Sequence, residues 1–114
     1  MNDHELLELA AKAAGYGALL FCPTSRTDGF YSVEETDGGP LKTWNPLTDD
    51  GDALRLAVRL RYFPQLMVMG KFVGFDDLDI VEDFTEDPLA ATRRAIVRAA
   101  AEIGKKMKEK EDEQ

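Results

Sequence analysis

The stretch from Asp87 to Gly104, DPLAATRRAIVRAAAEIG, narrows the folds open to this chain more than any other. Asp87 suits an N-cap and Pro88 the first helical position, so a helix begins here. Leu89, Ile96, Ala100, Ile103 and Met107 recur at helical intervals, with Val97 and Ala99 beside them. Many of the side chains are small (Ala90, Ala91, Ala95, Ala99, Ala100, Ala101), which allows close packing on a sheet. After Met107 the run KKMKEKEDEQ has no core pattern and is expected to fray. A single domain is therefore expected over residues 1–104, with a charged tail over 105–114.

Two more helices follow from the same periodicity. Over residues 3–14 the apolar positions are Leu6, Leu7, Ala10 and Ala14, with Glu5, Glu8 and Lys12 on the other side. Asn2 or Asp3 can cap the start, and Gly15 or Gly17 the end. In WNPLTDDGDALRLAVRL (44–60) the stripe runs through Leu47, Leu54, Ala57 and Val58, continues to Arg61, and is widened by Leu56 and Leu60. Arg55 and Arg59 lie on the wetter flank, and Pro64 closes the segment.

Strands fill the gaps. Residues 18–22 (ALLFC) read as a strand buried on both faces or nearly so. Residues 30–35 (FYSVEE) read as a second strand, and 41–44 as a short edge strand stopped by Asn45-Pro46. Residues 66–69 (LMVM) read as a central strand, followed by a bulge or hairpin near 71–77 at Gly70 and Gly74. Residues 79–85 complete the set, with Ile80, Glu82 and Phe84 on one side and Val81 on the other. Strands grouped in pairs between helices imply an α+β layered sandwich, about four strands packed with three helices, rather than a doubly wound sheet.

A chain of 114 residues, 44% of them apolar, has the size of one domain with one core. Its longest apolar runs are far too short to span a bilayer. Acids precede the first apolar residues, opposite to a secretory signal, and the one cysteine, Cys22, suits a reducing compartment. A cytoplasmic location is expected, with no membrane partner. The net charge of −8 disfavours nucleic acid, whose phosphates need Lys and Arg. The charge is uneven. Residues 75–87 hold seven acids and no base, whereas residues from 88 onward hold seven bases and five acids. The plain reading is a solvated face and a helix suited to its dipole. The sharper one is an acidic surface that docks on a basic partner or imitates nucleic acid.

The residues nearest to chemistry are Asp49, Asp50 and Asp52. Clustered carboxylates suit Mg²⁺ or Ca²⁺, but Gly51 comes too early for a calcium loop and no glutamate closes one. Helix initiation is favoured instead, with Thr48 as N-cap, acids in the first turn, and an i,i+3 pair from Asp52 to Arg55. Trp44 reads as a core anchor for the Asn45-Pro46 turn, or alternatively as a partner-binding aromatic. His4, Cys22, Ser25 and Ser32 form no recognisable nucleophile arrangement, and no phosphate-cradling glycine loop is present. If Ile80 and Phe84 face inward so does Glu82, a position for an acid or base, although a strand end near solvent is the plainer account. No catalytic residue, cofactor or metal ligand is assigned.

Two segments, Trp44 to Leu60 and Asp87 to Gly104, together resemble the small phage and prophage proteins of the phage ABA-sandwich domain family. The resemblance covers about a third of the chain. It implies a sheet with helices layered on it and a phage or prophage origin, and no activity. The leading expectation is an accessory protein that binds a host or phage protein through Trp44, Asp76, Asp77, Asp79 and Asp83. Alternatives are a small metal-dependent or carboxylate-using enzyme working through Asp49, Asp50, Asp52 or Glu82, and a regulator contacting nucleic acid through Arg93, Arg94, Arg98 and Lys105. Self-association is compatible with all three.

Overall fold

The structure is a computed structural model that describes residues 2–24, 29–36, 38–60, 67–69, 72–75, 80–83 and 86–112. The elements in chain order are α1 (Asp3–Ala13), β1 (Leu19–Cys22), β2 (Phe30–Glu34), β3 (Leu41–Thr43), α2 (Asp50–Leu60), β4 (Met67–Met69), β5 (Phe72–Phe75), β6 (Ile80–Asp83) and α3 (Pro88–Asp112). The class is α+β, as the pattern of helices and strands implies. The described strands form two antiparallel meanders rather than one sheet, β1-β2-β3 (sheet A) and β4-β5-β6 (sheet B). The short edge strand is β3, and of the bulge or hairpin expected near 71–77 it is a hairpin, contributing β5.

Helix α1 is bounded by its sequence signals. The Asn2 side chain accepts the Glu5 N–H at 2.8 Å. At the other end Gly15 takes φ 82°, the Tyr16 N–H bonds to Ala11 O, and the Gly15 N–H bonds to Lys12 O. This double closure needs a left-handed residue, which is why glycine stands there.

Helix α3 is the spine. Ala95, Ile96, Val97, Ala99, Ala100 and Ala101 are all buried, so its middle is enclosed almost all round. Helix α1 covers one side with Leu6, Leu7, Ala10, Ala11 and Ala14, while α2, β5 and β6 take others. The small-residue surface therefore receives a helix first and a sheet second. The approach is closest at Gly104, where an added Cβ would fall 1.9 Å from Leu9 O. The helix also runs past the expected fraying point to Asp112, and Lys12 Nζ meets the Glu111 carboxylate at 2.8 Å. Leu89, placed on the stripe by periodicity, is exposed instead.

Three placements differ from the sequence reading. β1 is an edge strand with Leu20 and Phe21 exposed on its two faces, and β4 lies at the edge of sheet B with β5 central. In α2 the buried apolar residues are Ala53, Leu56 and Ala57, with Leu60 half-buried, whereas Leu54 and Val58 are 50% and 60% exposed. The helix is apolar at 53, 54, 56, 57, 58 and 60, so two overlapping stripes satisfy the period.

Replacing a helix-interior glycine with alanine normally stabilises by about 1 kcal/mol. For Gly104→Ala the collision is with backbone, and the expected outcome is a loss of about 1–3 kcal/mol in urea unfolding. A gain would show that α1 and α3 are not in this close contact.

Candidate functional site

The aspartates that open α2 hold three separate structural positions. Asp49 is the N-cap, one residue later than Thr48, and its carboxylate accepts the Asp52 N–H at 2.8 Å. Asp50 reaches across to α3 and pairs with Arg93 at 2.6 Å. Asp52 is buried, and one of its oxygens accepts the Asn45 N–H at 3.0 Å. Its other oxygen takes Arg55 at 2.7 Å, the i,i+3 pair expected from spacing. That hydrogen bond is the main cause of a raised Arg55 pKa, which leaves the guanidinium charged.

The turn before the helix is built for this arrangement. Asn45 Oδ1 accepts the Leu47 N–H, and the Asn45 carbonyl accepts the Thr48 and Asp49 N–H groups. A cleft of about 410 Å³ lies beside it, lined in part by Tyr31, Asn45, Asp49, Asp52 and Arg55. Two of its acids are already committed to backbone N–H groups and to Arg55. Among the described residues no three acid, His or Cys side chains converge in a way that would hold a metal ion.

Trp44 is 1% exposed, which removes it from any interaction surface. Its backbone N–H bonds to Tyr31 O at 2.9 Å, and its ring meets Tyr16 edge-on at 5.6 Å. It is the core anchor of the Asn45-Pro46 turn. Of the other residues proposed for that surface, Asp83 is exposed on β6, and Asp76, Asp77 and Asp79 lie outside the described residues.

Glu82 does face α3, half-buried beside Ile80. There it binds Arg98 through a short charge-assisted hydrogen bond and lies 3.9 Å from Arg94. Arg94 also reaches Asp3 at 3.2 Å, and Arg93 donates to Leu47 O as well as to Asp50. The three arginines considered for nucleic acid thus each hold a carboxylate of another element. Exposed Lys105 is on the same helix.

His4 and Cys22 are not brought together. His4 lies against Tyr31, with ring centroids 5.7 Å apart, and near Glu8. Register places Cys22 opposite Phe30, on the other face of sheet A from Tyr31. Ser32 shares that second face, and Ser25 lies outside the described residues.

That second face is what sequence reasoning missed. Strand register sets Leu20 opposite Ser32 and Thr43, Cys22 opposite Phe30, and Leu41 opposite Glu34. Leu20, Phe30 and Leu41 are 40%, 42% and 55% exposed. The signal was the ALLFC run itself. Its apolar residues call for cover on both faces, and this fold leaves Leu20 on one face and Phe21 on the other 40% and 45% exposed.

No family model, no curated protein and no solved structure matches this chain. No described helix is long and apolar enough to cross a membrane.

The geometry ranks the aspartates by what each supports. Asp52→Ala leaves the Asn45 N–H without its acceptor and is expected to cost about 1–3 kcal/mol in chemical unfolding. Asp50→Ala removes a surface pair and is expected to cost at most about 1 kcal/mol. Equal losses, or a melting temperature raised by millimolar Mg²⁺ in the wild type only, would instead make the three acids one functional unit.

Proposed function

We propose that this protein works by binding another protein, with the outer face of sheet A as its principal contact. The observation that carries the reading is the exposed group Leu20, Phe30 and Leu41, with Cys22 at the side, on an edge-strand meander. An antiparallel sheet with a solvated face normally alternates apolar and polar residues. Here the solvated face keeps three large apolar side chains, the composition found at interaction sites. The resemblance of the α2 and α3 segments to phage proteins supports a phage or prophage accessory protein, whose partner is a host or phage protein in the cytoplasm. The acidic run from Asp76 to Asp87 is the rival surface. Of its described acids, Glu82 binds Arg98 and Asp87 caps α3, while Asp83 and Glu86 are exposed.

The test is a pull-down of the tagged protein from host lysate, with nuclease, in three forms: wild type, Leu41→Lys with Phe30→Lys, and Asp76, Asp77, Asp79 and Asp83 all changed to Lys. The expected result is one stoichiometric partner that the acid variant keeps and the sheet A variant loses. Loss only with the acid variant would move the contact to the acidic run. A wild-type dimer in light scattering, abolished by Leu41→Lys, would make the partner a second copy.

A further inference from the structure

Helix α2 carries a feature that the sheet A reading leaves unused. Tyr16 follows the close of α1, and two cations from distant segments converge on its ring. Lys42 Nζ lies 4.8 Å from the ring centroid and also donates to Tyr16 Oη at 3.2 Å. The Arg59 guanidinium carbon lies 4.9 Å from the same centroid. The cation–π contacts hold both groups in place. They do not neutralise them.

Arg59 differs from its neighbours in this respect. Arg55, Arg93, Arg94 and Arg98 each hold a carboxylate. Among the described residues neither Arg59 nor Lys42 meets one. Two like charges are thus gathered at one ring in a protein of net charge −8. Such an arrangement is favoured by an anion from outside.

The surroundings specify that anion further. A pocket of about 420 Å³ is lined by Tyr16, Lys42, Leu54, Arg55, Val58 and Arg59. Leu54 and Val58 are spaced i,i+4 and form an exposed apolar ridge one turn long. Arg59 stands beside it, one turn after Arg55, whose charge is held by Asp52. An inorganic ion would use the cations and leave the apolar ridge wet. A segment with a carboxylate next to apolar side chains would use both.

We propose that the Tyr16 pocket with the α2 ridge binds an acidic amphipathic segment of a partner protein, its carboxylate on Arg59 and Lys42 and its apolar side chains on Leu54 and Val58. The site is separate from the sheet A face, so either can fail without the other.

Trp44 makes the test direct, because the single tryptophan packs edge-on against Tyr16 and its fluorescence reports events at that ring. The probe is a synthetic amphipathic peptide of Leu and Glu at i,i+4 spacing, titrated into the full-length protein. The controls are the same peptide with Gln for Glu, and inorganic phosphate. The expected result is saturable, salt-sensitive binding of the Glu peptide, with Arg59→Gln and Val58→Ser each weakening it by about tenfold. Both positions are exposed, and unchanged circular dichroism confirms that the variants fold. Equal binding of the Gln peptide, an unaffected Arg59→Gln, or full competition by phosphate alone would overturn the proposal. So would a wild-type dimer dispersed by Arg59→Gln, which would make the occupant a second copy.

Discussion

Gly104 lets the backbone of α3 meet the Leu9 carbonyl, and the molecule is built outward from that contact. Alanines bury little area each, at about 0.8 kcal/mol per methylene-sized group. An alanine-rich helix therefore gains from being approached closely on several sides, not from large side chains of its own. α1 meets this need along one side with matching small residues, Ala10, Ala11 and Ala14. Bulk comes from the partners: Leu7 from α1, Val33 from β2, Trp44 from the turn and Leu56 from α2, all fully buried. The tryptophan sits where the chain crosses from sheet A to α2, the junction that most needs filling.

A nearly uniform alanine cylinder has a weakness, since apolar burial says little about how it should be rotated. The arginines of α3 supply that information. Arg93 reaches Asp50 and Leu47 O, Arg94 reaches Asp3, and Arg98 reaches Glu82 and Val81 O. Each contact goes to a different element, so together they set α3 against α2, α1 and β6 at once. Exposed ion pairs contribute little stability individually. Their value here is orientation, which explains why a mildly basic helix in an acidic protein keeps three arginines on one stretch.

Features set by short-range contacts were legible in the sequence. Helix starts were, because Asn2 and Asp87 bond backbone N–H groups within a few residues of themselves. The pairing of Asp52 with Arg55 was, for the same reason. The inward face of α2 was not, since two stripes fit its period and its contacts with α3, such as Asp50 with Arg93, lie 43 residues away in sequence. The edge position of β1 was equally hidden, because an apolar run reports a demand for cover and not its source. Asp49 rather than Thr48 as the cap is a shift of one residue that short-range preference does not resolve. The Tyr16 cluster draws on residues 16, 42 and 59, which no local pattern connects.

Two of these mismatches share a cause worth pressing. Burial expected from pattern and withheld by the fold occurs at Leu20 in β1 and at Leu54 and Val58 in α2. Scattered exposed leucines need no explanation. These are not scattered. Leu20 lies with Phe30 and Leu41 on one sheet face, and Leu54 lies with Val58 beside Arg59. In each case local structure is well satisfied, so the exposure is not the mark of a poorly formed element. A sequence that keeps core-like residues on a well-formed surface element bears the cost of hydrating them in the free protein. That cost is recovered only when the surface is covered. Two separate surfaces of this kind, one with apolar side chains set among Ser32, Glu34 and Thr43 and one apolar beside cations, underlie the two contacts proposed for this molecule.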